Sequence, residues 1–465
     1  MAFVIVLAAL CFLMVVAYRG YSVILFAPVA AMGAVLLTDP NLVAPVFTGL
    51  FMEKMVGFLK LYFPVFVLGA IFGKVIELSG FSKSIVAATI RIVGAERAML
   101  AIVLVCALLT YGGVSLFVVV FAVYPFAAEL FRQSDIPKRL IPATIAVGAF
   151  TFTMDALPGT PQIQNIIPTT FFGTDTWAAP ILGCIGAAFI LALGLAYLGW
   201  QRRKAVAAGE GYGTNLVNEP AEFESSRLAH PLIAVLPLVL VGISNKLFTI
   251  FIPRFYGASH EFIPAVIGDP KPVVQEVSKI AGIWAVEGAL LVGILTVLIF
   301  AWKQVRERFA AGSQSAIGGA LLASMNTASE YGFGAVIASL PGFLIVADAL
   351  RAIPNPLVNE AVTVTALAGI TGSASGGMSI ALAAMADTFV ANATAAGIPM
   401  EVLHRVAAMA SGGMDTLPHN GAVITLLAVC GLTHRQSYKD IFAITLIKTA
   451  AVFVIIGVYY ATGLV

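Results

Sequence analysis

The sequence predicts an all-α polytopic membrane protein built from two repeated halves. Three observations carry the prediction: too little charge to cover a soluble surface, long runs with no charge, and motifs that recur at a nearly constant offset. Of 465 residues, 60% are apolar and 11% charged, against a usual charged share of about 25%. Mean hydropathy is +0.98. A formal net charge of +2 offers nucleic acid no electrostatic footprint. Cys11, Cys106, Cys184 and Cys430 each stand alone in apolar sequence. They have neither metal-ligand spacing nor a disulfide framework, and no metal or cofactor is expected.

Residues 1–18, 20–38, 98–128, 176–201, 361–386 and 449–465 contain no Asp, Glu, Lys or Arg. A spanning helix needs about 20 mainly apolar residues. Further spans are expected near 56–78, 231–252, 280–302, 315–346 and 402–428, for a total of roughly 10 to 12. The first 17 residues lack the basic start and the A-x-A site of a signal peptide. A retained first helix is expected instead.

Two basic clusters set the topology. Gln201-Arg202-Arg203-Lys204 and Lys303-Gln304-Val305-Arg306-Glu307-Arg308 each follow a span ending in Trp. Two spans separate them, so both can be cytoplasmic under the positive-inside rule. The longest polar stretch, 201–230, reads as a solvated linker between a first half, 1–200, and a second half, 231–465.

The halves repeat. Phe72-Gly73-Lys74-Val75-Ile76 recurs as Phe333-Gly334-Ala335-Val336-Ile337, and Gly112-Gly113-Val114-Ser115 as Gly376-Gly377-Met378-Ser379. Ile136-Pro137 recurs as Ile398-Pro399, and Met154-Asp155-Ala156-Leu157-Pro158 as Met414-Asp415-Thr416-Leu417-Pro418. The four pairs keep one order, at offsets of 260 to 264. They place repeat one at about 60–173 and repeat two at about 320–432. Repeats with paired Gly- or Pro-interrupted segments mark secondary transporters, whose site lies at the repeat interface.

Candidate chemistry sits at those interruptions. Thr110-Tyr111-Gly112-Gly113-Val114-Ser115 and the run Thr371 to Ser379, with Ser373, Ser375, Gly376, Gly377 and Ser379, each break an uncharged stretch. Amides freed in mid-membrane need partners, and a helix N-terminus facing a cavity can receive an anion. Close helix packing through small residues is the competing reading. Asp155 and Asp415 are intramembrane carboxylates, the default mark of an ion pathway. Each could instead cap a re-entrant helix or pair with a Lys. Gly159, Thr160 and Gln162 follow the first Asp; His419 and Asn420 follow the second. His419 could bond a carboxylate or relay a proton. His230, His260, His404 and His434 look peripheral. Asn326 and Glu330, at i and i+4, share one face of an apolar helix; Glu330 suits ion coupling or an interhelical ion pair. Glu287, Asp348 and Asp387 receive no role. No Arg lies within the repeated motifs, so a carboxylate substrate would be held by amides, hydroxyls and helix ends. No Walker, dinucleotide or Ser-His-Asp signature occurs, and an enzyme is not expected.

The glycine-broken helix, Asp155-Ala156-Leu157-Pro158-Gly159-Thr160-Pro161 and Asp415-Thr416-Leu417-Pro418-His419-Asn420 resemble the gluconate permease (GntP) family over roughly residues 20–460. The likeness is closest to its D-β-hydroxybutyrate branch, through Leu109–Gly113, Phe152–Asp155 and Gln162–Asn165. The resemblance implies two inverted repeats, re-entrant hairpins, a scaffold part and a transport part, elevator-like motion and a homodimer. Gluconate-type members carry His-Pro-Gly-Pro-Thr where this chain has Leu157-Pro158-Gly159-Thr160-Pro161, which favours a shorter hydroxy acid. The expected function is symport of a short hydroxy-monocarboxylate, D-3-hydroxybutyrate first, with protons. Sugar-acid symport and a sodium-coupled carrier of the same fold are the alternatives.

Overall fold

The computed structural model describes residues 2–19, 21–94, 97–214, 216–219, 228–264, 272–343, 345, 353–418 and 420–465. The first half opens with α1 (Ala2–Tyr18) and α2 (Val23–Thr38). A 3-10 turn and a π turn then lead into α3 (Met52–Leu78), so Pro40–Leu78 runs as one helix of 39 residues. After α4 (Phe81–Val93) come a helical hairpin, α5 (Ala98–Tyr111) and α6 (Leu116–Gln133), a broken helix, α7 (Ile141–Ala149) and α8 (Ile163–Phe172), and a closing helix, α9 (Pro180–Ala207).

The second half begins with α10 (Pro231–Tyr256), a two-stranded ribbon of β1 (His260–Phe262) and β2 (Val273–Gln275), and the long α11 (Val277–Ser339). α11 is two arms joined at Ala301, where φ −134° and ψ 25° leave the helical region. The same order then returns: a hairpin of α12 (Pro356–Thr371) and α13 (Ala374–Ala395), a broken helix of α14 (Met400–Ser411) and α15 (Gly421–Cys430), and closing α16 (His434–Thr462).

Among the described residues, six helices are long and apolar enough to cross a membrane. The protein is an all-α, integral, multi-pass membrane protein. Leu37, Leu232, Phe255, Ile299 and Phe300 lie on its outer surface, where lipid replaces water. α5, α8 and α15 are too short to cross alone, at 14, 10 and 10 residues. Their ends are tolerated at depth because neighbouring protein satisfies them.

Corresponding helices of the two halves run antiparallel. The start of α7 meets the start of α16, where Arg139 Nη1 pairs with Asp440 at 2.8 Å and Ser437 donates to the Arg139 carbonyl. At the opposite end, Thr174, just past α8, bonds His404 near the start of α14, and the Ile181 amide at the start of α9 donates to the Val465 carbonyl. If Arg202–Lys204, at the end of α9, is cytoplasmic as the positive-inside rule expects, the Arg139–Asp440 end is the cytoplasmic one and the Thr174–His404 end the outer one.

The polar stretch after 201 starts as the last turns of α9. It then folds back on the cytoplasmic end. Lys138 Nζ donates to the Glu219 carboxylate at 2.7 Å and Arg132 to its other oxygen at 2.6 Å, while Tyr124 donates to the Asn218 carbonyl. Burial pushes the Glu219 carboxyl up, but hydrogen bonds from Lys138, Arg132 and Tyr212 outweigh it and hold it below the usual range.

Candidate functional site

Each hairpin turns at a residue that an L side chain resists. Gly113 has φ +96° at the first tip and Gly372 φ +64° at the second, both in the left-handed region open to glycine. Ser115 precedes α6 without a side-chain cap bond. Ser373 caps α13, its Oγ accepting from the Gly376 amide at 3.1 Å.

Each tip is fastened to the break of its own repeat by one carboxamide. Gln162, the residue before α8, donates from Nε2 to the Thr110 carbonyl at 2.7 Å. Asn420, the residue before α15, donates from Nδ2 to the Gly372 carbonyl at 2.7 Å, while its Oδ1 caps the helix at Ala422 and Val423. The same bond in both repeats satisfies a carbonyl that helix breakage exposes.

The first break is heavily cross-linked. Thr160 donates to the Thr153 carbonyl, and Asn165 Nδ2 to the carbonyls of Thr160 and Thr176. Gly159 (φ +77°) lies under Trp177, and its carbonyl accepts from Asn245 of α10. Arg405, fully buried on α14, donates to the carbonyls of Asp155 and Ala178 and to Asn165 Oδ1. His404 Nε2 shares Asn165 Oδ1 at 3.2 Å, and its Nδ1 meets Thr174 Oγ1 at 2.7 Å. Asn165 uses its amide hydrogens elsewhere, so Oδ1 is the acceptor and His404 carries its proton on Nε2.

The two breaks meet around Lys448. Its Nζ donates to Asp415 Oδ1 at 3.1 Å and to the Phe150 carbonyl at 2.6 Å, and it lies 3.8 Å from Asp155 Oδ2. The side chains of Asp155 and Lys448 are 2% exposed, that of Asp415 12%. Gly412 admits the approach, since a Cβ there would fall on Asp155 Oδ2. Two carboxylates thus share one buried ammonium, and Asp155 Oδ1 is buried without a partner.

Glu330 lies elsewhere, on the second tip. Its carboxylate rests against Gly376 in the first turn of α13, occupying the space of the missing Cβ. One turn earlier on α11, Thr327 Oγ1 meets Ser375 Oγ at 3.2 Å. Asn326 is half-buried beside them. A cavity of about 620 Å³ opens on the outer side between α3, the start of α11 and the end of α8, with Phe58, Tyr62, Thr170 and Tyr331 in its lining.

Several expectations are revised by the geometry. Gly376, Gly377 and Ser379 do not break a helix; they lie inside the first turns of α13, and the break falls at Gly372–Ser373. Gly377 serves close packing, since a Cβ there would strike the Ala368 backbone across the hairpin. His404 is not peripheral but fully buried. Asp155 and Asp415 do meet a lysine. Thr160, Gln162 and Asn420 spend donors on the backbone. His419 and Asp348 lie outside the described residues. Lys448 and Arg405 were missed: each sits inside an apolar helix with no motif around it.

Antiparallel broken helices converging on buried charge define a polytopic membrane transporter. No family model matches the chain. The chain is 60% identical, over 475 aligned positions covering 100% of both sequences, to the uncharacterized transporter YxjC of Bacillus subtilis (strain 168), and it belongs to that transporter's family. Its fold is similar to that in the crystal structure of the Alcanivorax borkumensis YdaH transporter, with a TM-score of 0.56 over 92% of this chain and 90% of that one at 15% identity.

Proposed function

We propose that this transporter is a secondary symporter. It imports a short hydroxy-monocarboxylate, D-3-hydroxybutyrate first, together with protons, by an elevator-like movement of hairpins and broken helices against α1–α3, α10 and α11, as a homodimer. The observation that carries this reading is the pair of antiparallel breaks meeting at Asp155, Lys448 and Asp415. Such a buried charge cluster is expensive in a membrane and marks an ion pathway. The carboxamide-tied tips supply hydroxyls and amides suited to a small oxygenated anion.

The test is a thermal-shift panel of hydroxy acids on the purified protein, with and without sodium, followed by uptake into proteoliposomes with a proton ionophore. D-3-hydroxybutyrate should stabilise the protein without sodium, and the ionophore should abolish accumulation. Stabilisation only by sugar acids, or accumulation that survives the ionophore but needs sodium, would replace the reading.

A further inference from the structure

Glu330 has no counterpart in the first repeat and no electrostatic partner. It is 3% exposed, and among the described residues nothing donates to it or pairs with it. The titratable groups facing it are few. Tyr331 is its neighbour on α11, and α3 contributes Glu53, Lys54 and Tyr62 around the outer cavity. α13 has none from Ala374 to Ala386, and α8 has none at all.

Its position is specific. The carboxylate lies on Gly376, in the first turn of a helix of 22 residues, where the helix dipole favours an anion although the Gly376 amide itself is taken by Ser373 Oγ. Beside it, Ser329 Oγ on α11 and Ser379 Oγ one turn along α13 are buried with no partner. A hydroxy-carboxylate bound here would satisfy both hydroxyls and compete with Glu330 for the same turn. The cavity is lined by Tyr331, the next residue on α11, and Glu330 itself lies behind that lining.

We propose that Glu330 links the proton to the substrate: in the empty carrier its carboxylate occupies the place that receives the substrate carboxylate, and the substrate is seated only when Glu330 takes up a proton. This rests on the symporter reading above. One proton binds the Glu330 carboxylate for each monocarboxylate bound, and both leave on the cytoplasmic side, so the cycle moves no net charge.

The experiment measures D-3-hydroxybutyrate binding to the full-length purified protein across a pH series, with proteoliposome uptake alongside. In the wild type, affinity should weaken by about tenfold per pH unit on the alkaline side, as linkage to one proton requires. In Glu330→Gln binding should be independent of pH, and an inward proton gradient should no longer drive accumulation, while counterflow exchange persists. Gly376→Ala, whose methyl group displaces the carboxylate and leaves the acid intact, should flatten the same slope. Glu287→Gln should keep it. A wild-type slope surviving in both Glu330→Gln and Gly376→Ala, or no slope in the wild type, overturns the role of Glu330 alone. A wild type that binds no hydroxy acid overturns the symporter reading beneath it.

Discussion

The two hairpin tips share a backbone plan and differ in what covers them. Tip one is sealed by hydrocarbon: Gly112 lies under Leu238, and Gly113 lies against Leu290, Pro161 and Phe72. Tip two is covered by a carboxylate. The breaks differ in the same sense. The first is bound to α10 by Asn245 and to α14 by Arg405 and His404; the second is held by Asn420 to its own tip and to α16 by Lys448, by Thr445 on Thr416, and by Tyr438 and His434 on the Thr416 and Pro418 carbonyls. Duplication fixed the architecture, and charge was then placed unequally on it. This difference predicts a fixed wall in the first repeat and a responsive one in the second.

Lys448 joins the two walls, and its loss gives the largest expected effect. Lys448→Ala leaves Asp155 and Asp415 buried without a cation, which costs about 3–5 kcal/mol. It should abolish uptake and sharply lower the unfolding temperature in detergent. Adding Asp155→Asn and Asp415→Asn together should recover much of the stability without recovering transport. A single Lys448→Ala as stable as wild type would show that the breaks do not depend on each other.

Arg405 tests whether the first break is fixed. Arg405→Ala removes the guanidinium donor from the Asp155 and Ala178 carbonyls and leaves Asn165 Oδ1 to His404 alone, at a cost of about 2–3 kcal/mol. Arg405→Lys should rescue little, because an ammonium cannot span three acceptors with one planar fork. Full rescue by Lys, read by thermal unfolding, would reduce the residue to a charge.

The tips can be compared through glycine. Gly377→Ala drives a methyl group into the Ala368 backbone, and overpacking of this kind costs about 1–3 kcal/mol. Gly112→Ala meets Leu238 from Cδ2 down to Cβ, and Cβ moves only with α10, but at 2.9 Å from that Cβ it intrudes less than Gly377→Ala does on the Ala368 backbone, so it should cost less. Equal losses in thermal stability would erase the distinction between the tips.

The smallest effect is expected outside the membrane. Glu219 is held below the usual carboxylate range by Lys138 and Arg132. A depressed acid stabilises above its unfolded pKa, and that contribution is lost as pH falls through the folded value. Deuterium exchange at 210–219, corrected for its intrinsic pH dependence, should therefore rise on acidification, and Glu219→Gln should exchange faster than wild type above the folded pKa of Glu219 and alike below it. The partly exposed Arg132–Glu219 pair is worth under about 1 kcal/mol.

The breaks and tips were legible because glycine and proline punctuate locally: Gly113 and Pro158 act through their own backbone, and Asn420 caps the helix that follows it. The match of Gly112-Gly113 to Gly376-Gly377 misled, since letters matched where conformations do not; Gly372 is the true counterpart of the turn. Lys448 and Arg405 escaped because their partners are remote. Asp415 is 33 residues from Lys448, and the Asp155 carbonyl is 250 from Arg405. No local pattern encodes a pairing that only tertiary packing creates.

The bend at Ala301 has a consequence for the surrounding lipid. At 1.5 Å per residue the arm 302–339 is about 57 Å long, nearly twice a hydrocarbon core of about 30 Å. Contained wholly within that core, it would lean by about 60° from the bilayer normal. Otherwise its basic first turns, with Lys303, Arg306 and Arg308, lie along the inner headgroups while the remainder plunges. Either way the arm that carries Glu330 is set by membrane thickness, and the acid at the second tip inherits its position from the bilayer as well as from the protein.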